Sequence, residues 1–213
     1  MIKIIKQIVS KKQHYFVSVS MGTDSVAAFI WLLNKKYSIT PVHLNHGLRS
    51  QNDLMQHKFN KMCEDLKIKG ISKKVNAINS ESECRKERIS FYSELGGKII
   101  TAHHLNDWVE SYLLNCFRGK PNNDTLNLIS EFPNFKIYHP FLLNNKWKFS
   151  QYLERNGLCH YVVEDESNEI IKGSRRNWIR NKIIPEMKSR KLSLEKYALR
   201  KVKEAIDKIP NLD

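Results

Sequence analysis

Apolar and polar residues alternate in blocks along the first half of the chain, and the period changes from block to block. Tyr15-Phe16-Val17-Ser18-Val19 is a short, mostly apolar run, so residues 15–20 read as a buried strand. Residues 25–37 carry the denser pattern of a helix, with Val26-Ala27-Ala28-Phe29-Ile30-Trp31-Leu32-Leu33 at its centre. The alternation continues with strands predicted over 39–44, 72–78 (the weakest) and 98–102, and helices over 53–68, 82–96 and 105–118. Gly96-Gly97 suits the close of the third helix, because glycine adopts the left-handed backbone that ends helices. Strands and helices in turn predict right-handed crossovers and an α/β fold: a parallel sheet with helices on both faces. Ligands of such sheets bind at the carboxyl ends of strands. Polar clusters fall there: residues 20–25 after the first strand, Asn45-His46-Gly47 after the second, His103-His104 after the fourth.

Past Gly119 the texture changes. Residues 121–124 read as a loop, 138–143 as a short extended or turn segment, and 147–156 as a helix closed by Gly157. A basic tail follows that reads as helices, with Pro185 near a helix start. The boundary falls near residue 144, giving a sheet domain over 1–144 and a small helical extension over 145–213. The opening Met1-Ile2-Lys3-Ile4-Ile5-Lys6 is basic and apolar but short. It has no small-residue cleavage site and reads as a first helix or strand. No apolar stretch approaches the ~18 residues that span a bilayer, so no membrane partner is expected.

Charge sharpens this picture. The net charge is +14, and residues 172–203 hold twelve Lys or Arg against Glu186 and Glu195. Clustering of that kind is the footprint of a nucleic-acid partner or another anionic surface. Cys63, Cys84, Cys116 and Cys159 are widely spaced with no Cys-x-x-Cys pair, which favours free thiols in a reducing, cytoplasmic setting over disulfides or a zinc site. The Lys, Asn and Ile bias also fits an organelle or a phage-infected cell.

The loop Ser20-Met21-Gly22-Thr23-Asp24-Ser25 lies between a strand and a helix N-terminus, where backbone N–H groups and the helix dipole attract anions. Ser20 and Ser25 add hydroxyls, and Gly22 permits close approach of a phosphate. Asp24 would repel a bare phosphate, and Mg²⁺ would resolve that conflict, so the loop suits a pyrophosphate with metal. No Walker A pattern is present. His103, Asp107 and Glu110 fall at i, i+4 and i+7, on one predicted helix face. Local chemistry alone leaves capping, metal binding and substrate binding open for this group. Arg85 and Arg88 share another face, and an acidic turn over 164–168 precedes Arg175-Arg176-Asn177-Trp178-Ile179-Arg180.

Taken together, these segments resemble tRNA(Ile)-lysidine synthetases of the PP-loop (N-type) ATP pyrophosphatase superfamily, with a Rossmann-like fold. The likeness covers about residues 15–186: the loop at 20–25, residues 42–49, 84–88, 101–119, 164–168 and 176–180. It implies ATP and Mg²⁺ as co-substrate and metal, with free L-lysine and a CAU-anticodon tRNA(Ile) as partners. It implies an adenylated wobble cytidine, attacked at C2 by the lysine amine to give lysidine, AMP and pyrophosphate. Carried over residue by residue, Ser20, Met21, Gly22, Thr23, Asp24, Ser25, His46 and Arg85 would bind ATP, with Asp24 at the metal. Asp24, Arg88, His103, Asp107, Glu110 and Arg176 would be catalytic. Cationic Arg88, His103 and Arg176 would stabilise phosphate charge, and Asp107 or Glu110 would handle the lysine amine. Arg118, Arg175, Arg180, Lys182, Arg200, Lys201 and Lys203 would contact tRNA, and Trp108 or Trp178 would hold the unstacked base.

Three departures from the family pattern stand out. Met21 takes the place of a usual glycine, residues 120–124 replace a Gly-rich segment, and residue 213 comes soon after the basic helices. The last predicts a weaker, more salt-sensitive grip on tRNA that relies on the 172–203 patch, with a homodimer as one way to strengthen it. The competing readings are a PP-loop tRNA thiolase, a decayed tRNA-binding homologue, and a metal hydrolase.

Overall fold

The structure is a computed structural model that describes residues 2–47, 50–75, 81–121, 126–163 and 175–209. The expectations for Leu48 and Arg49, for residues 76–78 and 122–124, for the acidic turn at 164–168 and for Lys172 lie outside the described residues.

The first half forms as its pattern predicts: β1 (His14–Ser18), α1 (Thr23–Asn34), β2 (Ser38–Asn45), α2 (Ser50–Asp65), β3 (Ile71–Lys74), α3 (Glu81–Leu95), β4 (Gly97–Ile100) and α4 (Leu105–Phe117). Next comes a hairpin that the pattern did not predict, β5 (Ile129–Glu131) and β6 (Phe135–Tyr138). The helices α5 (Trp147–Arg155), α6 (Arg175–Trp178), α7 (Ile184–Ser189) and α8 (Glu195–Ile206) complete the described elements, with a π turn over Ile179–Ile183 between α6 and α7. The six-stranded sheet runs β3-β2-β1-β4-β6-β5. Every neighbouring pair is parallel except β5 with β6. The fold is therefore the expected α/β sheet, with one antiparallel edge strand added and a helical C-terminal part.

The core explains the order of elements. Helix α1 is apolar nearly all round, with Val26 to Leu32 at most 8% exposed, because the sheet covers one side and α5 another. Phe149 and Leu153 of α5 and Ala198, Val202 and Ile206 of α8 join the same core as Tyr15, Val17 and Ile100 of the sheet. The opening segment is neither helix nor strand. Ile2, Ile5, Ile8 and Val9 are nonetheless buried, which removes apolar surface from water without regular structure. Buried Asn144 pins that segment, accepting from the Lys3 N–H at 2.8 Å and donating to the Lys3 carbonyl at 2.6 Å. Its own carbonyl accepts the Leu105 N–H at 2.8 Å, so it also fixes the start of α4. No helix of the described residues is long and apolar enough to cross a membrane.

Candidate active site

Strands β1 and β4 are neighbours, and the chain leaves them toward opposite edges of the sheet. That switch point opens a crevice at their carboxyl ends. The loop after β1 and residues 101–104 after β4 meet there.

The loop is braced from within. The Ser25 hydroxyl donates to the Gly22 carbonyl at 2.9 Å and accepts from the Ser20 N–H at 3.1 Å. The Ser20 hydroxyl lies 3.1 Å away and supplies a further bond to it. Ser25 is buried, so its hydroxyl holds the loop's shape, and Ser20 is the exposed one. Gly22 is the N-cap of α1, extended at φ −77°, and no side chain caps the helix. The first N–H groups of α1 therefore remain free of any side-chain cap, the arrangement an anion seeks. The left-handed residue in the loop is Met21, at φ 63°. Its side chain is fully buried, and its carbonyl accepts the Val163 N–H at 2.9 Å.

Asp24, in the first turn of α1, points across the crevice. Its Oδ2 lies 3.4 Å from His104 Nε2, and its Oδ1 is buried with no hydrogen-bond partner among the described residues. An unpartnered buried carboxylate oxygen beside a phosphate-type loop suits a magnesium ion, which takes one or two carboxylates and fills its shell with phosphate oxygens and water. No three metal-binding side chains converge among the described residues, so the ion would take most of its shell from phosphate oxygens and water, with Asp24 as a carboxylate that faces it.

His104 joins the two halves. It is the N-cap of α4, its Nδ1 accepting the Asp107 N–H at 3.4 Å while Asp107 Oδ2 accepts the His104 N–H at 2.9 Å. This reciprocal pair is a capping box made with histidine. Burial presses the His104 ring toward neutrality, but the bond to Asp24 and the Asp107 and Glu110 carboxylates outweigh it and raise its pKa. Burial would raise the pKa of Asp107. The His104 ring, the His104 N–H and Arg176 outweigh that and hold it below the ordinary carboxylate value.

Because His104 caps the helix, His103 precedes α4 and does not share its face, which corrects the predicted i, i+4, i+7 row. Its ring turns toward Thr101 (2.8 Å) and His139 (3.2 Å). Burial, opposed by Asp107 and aided by Arg176 and Arg88, pushes its pKa down to about 4. His103 is thus neutral at pH 7 and is not the cation that the sequence suggested. Asp107 and Glu110 do share a face, and both meet Arg180.

Glu110 is buried within α4, and two arginines from α6 and the π turn hold it. Arg180 binds it in a fork, Nε to Oε1 at 2.7 Å and Nη2 to Oε2 at 2.8 Å. Arg180 also lies 3.6 Å from Asp107 Oδ1. Arg176 Nε is 3.5 Å from Glu110 Oε2, and its Nη2 donates to the Ser111 hydroxyl at 2.5 Å. Arg176 and Arg180 are four apart, and this spacing directs both toward one carboxylate.

The other expected residues fall around this centre. Half-buried His46, at the end of β2, is kept at a pKa of about 4 by burial, Arg88 and His43, and its Nδ1 has no partner among the described residues. Arg85 and Arg88 project from α3 and are exposed; Arg88 is near enough to act on His46, His103 and Tyr92. Arg118 caps the far end of α4 and is exposed, as are Arg175 and Lys182. Arg200 and Lys201 pair with Glu204 on α8, and Lys203 is exposed beside them. Trp108 is 8% exposed, stacked on Tyr112 and packed edge-on to Tyr197, so it belongs to the core and cannot receive a base. Trp178 is 41% exposed and lies 5.7 Å from the exposed ring of Phe117. The four cysteines are unpaired. Thr101, His104, Ser111 and His139 escaped the reading of the sequence as site residues. Only the doubled histidine after β4 hinted at any of them.

The chain is 34% identical over 190 residues to a tRNA(Ile)-lysidine synthase of Staphylococcus aureus, a match covering 81% of this chain and 43% of that protein. It is 32% identical over 196 residues to the synthase of Staphylococcus epidermidis, covering 83% and 44%. The chain thus spans less than half the length of these relatives. Among solved structures, the U34-tRNA thiolase NcsA from Methanococcus maripaludis has the same fold, with a TM-score of 0.69 at 15% identity over 96% of this chain and 76% of that one. The family model described as PP-loop domain matches residues 1–187, spanning both the loop after β1 and the arginines that close on Glu110. The chain belongs to the PP-loop domain family.

Proposed function

We propose that the chain joins free L-lysine to C2 of the wobble cytidine in a CAU-anticodon isoleucine tRNA, at the expense of ATP. The observation that carries this reading is the junction at His104, which sets a phosphate-type loop directly against a paired-carboxylate site. An adenylating step and an amine-transfer step need such neighbours. The named relatives support it, and the PP-loop family model covers this whole region.

In the first step the cytidine C2 oxygen attacks the α-phosphorus of ATP, and the bond to pyrophosphate breaks. The N–H groups opening α1 and the Ser20 hydroxyl would hold phosphate oxygens, while Arg88 and Arg176 offset charge that grows on them. Asp24 would hold the magnesium ion, whose charge balances that of the phosphates. In the second step the lysine amine, having given up a proton, attacks C2. The C2–O bond breaks, and AMP departs with the oxygen. Asp107 is the better partner for the amine, since Arg180 forks closely onto Glu110, which Arg176 also approaches, while Arg180 comes no nearer to Asp107 than 3.6 Å. Glu110 would then serve to position the arginines. Trp178 and Phe117, with Arg118, Arg175 and Lys182 on the neighbouring surface, suit an unstacked base and its phosphates. We place this chemistry in the cytoplasm, where tRNA and ATP are both at hand.

The test is incorporation of radiolabelled lysine into unmodified CAU-anticodon tRNA(Ile) with ATP and Mg²⁺, beside Asp24→Ala. Incorporation that the variant abolishes is the expected result. Labelled sulfur entering in place of lysine would move the chain to the thiolases. Folded, ATP-binding protein that incorporates neither would be a decayed binder.

A further inference from the structure

We propose that Thr101 and His139 are positioning residues that hold the His103 ring in the form protonated at Nε2, so that a neutral histidine offers an N–H donor to phosphate in this site. The choice of tautomer rests on the proposed function; the hydrogen-bond pattern beneath it does not.

Thr101 Oγ1 lies 2.6 Å from His139 Nδ1 and 2.8 Å from His103 Nδ1, and the two Nδ1 atoms are 3.2 Å apart. The rings meet edge to face, with centroids 4.9 Å apart. Thr101 and His139 are 8% and 6% exposed, so solvent cannot substitute for a missing bond. Both sit at strand ends that the sheet keeps rigid: the Thr101 N–H donates to the Tyr138 carbonyl at 3.1 Å and the His139 N–H to the Leu128 carbonyl at 2.9 Å.

Proton bookkeeping restricts this triangle. A threonine hydroxyl has one proton, and a neutral imidazole has one N–H. Burial keeps both rings neutral, with pKa values of about 4 for His103 and about 3 for His139. If neither Nδ1 carried a proton, one nitrogen would face the hydroxyl lone pair to lone pair. If both did, both would donate to Oγ1 and the hydroxyl's own proton would have no acceptor in the triangle. One ring therefore holds its proton on Nδ1 and the other on Nε2. When His139 donates from Nδ1 to Thr101 and Thr101 donates to His103, the proton of His103 is on Nε2, away from the triangle. Phosphate oxygens are acceptors, so they favour this arrangement over a bare Nε2.

Two measurements test it. Ring ¹⁵N shifts of histidine-labelled protein at pH 7, assigned by loss of signals in His103→Asn, should show His103 protonated at Nε2 and His139 at Nδ1. Equal tautomers, reversed tautomers or a doubly protonated His103 would overturn the proposal. In tRNA-dependent ATP–pyrophosphate exchange, Thr101→Val keeps the shape but loses the hydroxyl. It should lower kcat about tenfold to a hundredfold with little change in KM for ATP. Thr101→Ser should retain most of the activity. The reverse order, or no loss in either, would show a packing role and sink the idea. Wild-type protein without any exchange would overturn the proposed function, and the ¹⁵N pattern would still decide the triangle.

Discussion

Met21 has a backbone φ of 63° and a side chain with no exposure, a combination that sets two effects against each other. A left-handed conformation costs a residue with a Cβ about 1–2 kcal/mol, and glycine escapes that cost. Removing a buried methionine side chain costs about 2–5 kcal/mol. Burial therefore wins, and the methionine is stabilising despite its strain. Met21→Gly should destabilise the protein in urea unfolding, but by less than Met21→Ala, although glycine buries less. If alanine proved the milder change, the strain at this position would be absent. The loop between β1 and α1 was legible, because its residue types and the apolar runs on either side suffice to place it. The burial of Met21 was not legible, since it comes from tertiary packing, and even the bond to its carbonyl is made by Val163, far along the chain.

At the scale of elements, α4 and the π turn share one carboxylate. Glu110 is buried, and Arg180 supplies its two short bonds. Losing one partner of such a pair leaves an uncompensated charge, at about 3–5 kcal/mol, whereas replacing both with apolar groups is often neutral. Arg180→Met should therefore lower stability by about 3 kcal/mol in urea unfolding, softened by Arg176. The double change Arg180→Met with Glu110→Met should recover most of it. A single variant as stable as the parent would mean that Arg180 does not hold Glu110. The helix α4 was plain in the sequence, with its apolar stripe and its polar opening turn. Strands β5 and β6 were not, because they are three and four residues long and follow one another as a hairpin, outside the strand–helix alternation that made the equally short β3 and β4 legible. What makes Phe135–Tyr138 a strand is its pairing with β4, a partner distant in sequence. His139 follows that strand, so missing the strand meant missing the Thr101–His139 contact as well. His104 was read beside His103 as one pair; only the capping geometry of α4 separates their tasks.

For the whole molecule, buried histidines tie stability to pH. His43, His46, His103 and His139 all have depressed pKa values, with burial as the first cause in each. Below about pH 6.5 the unfolded chain takes up protons on such rings, and the folded chain does not until about pH 4 for His46 and His103 and about pH 3 for His139. The unfolded state thus binds more protons across that window, and acid favours it. His104, with its raised pKa, works the other way: its contribution is full below about pH 6.5 and fades as pH climbs through its folded value. Four rings outweigh one, so the urea midpoint should fall steadily from pH 7 to pH 5. A midpoint that rose with acid would show that these rings are not held neutral.

The bonds between Lys3 and Asn144 join residues 141 positions apart, and Lys58 reaches the carbonyl of His160 across 102. On a ribosome adding about 5–20 residues per second, Asn144 follows β1 by roughly 6–25 s. Throughout that wait Asn144 is not there to pin the apolar opening segment, and for the earlier part of it β1 also lacks its neighbour β4. Synthesis thus passes through a long interval with adhesive surface on display, and how quickly the chain is made bears on how much of it survives to fold.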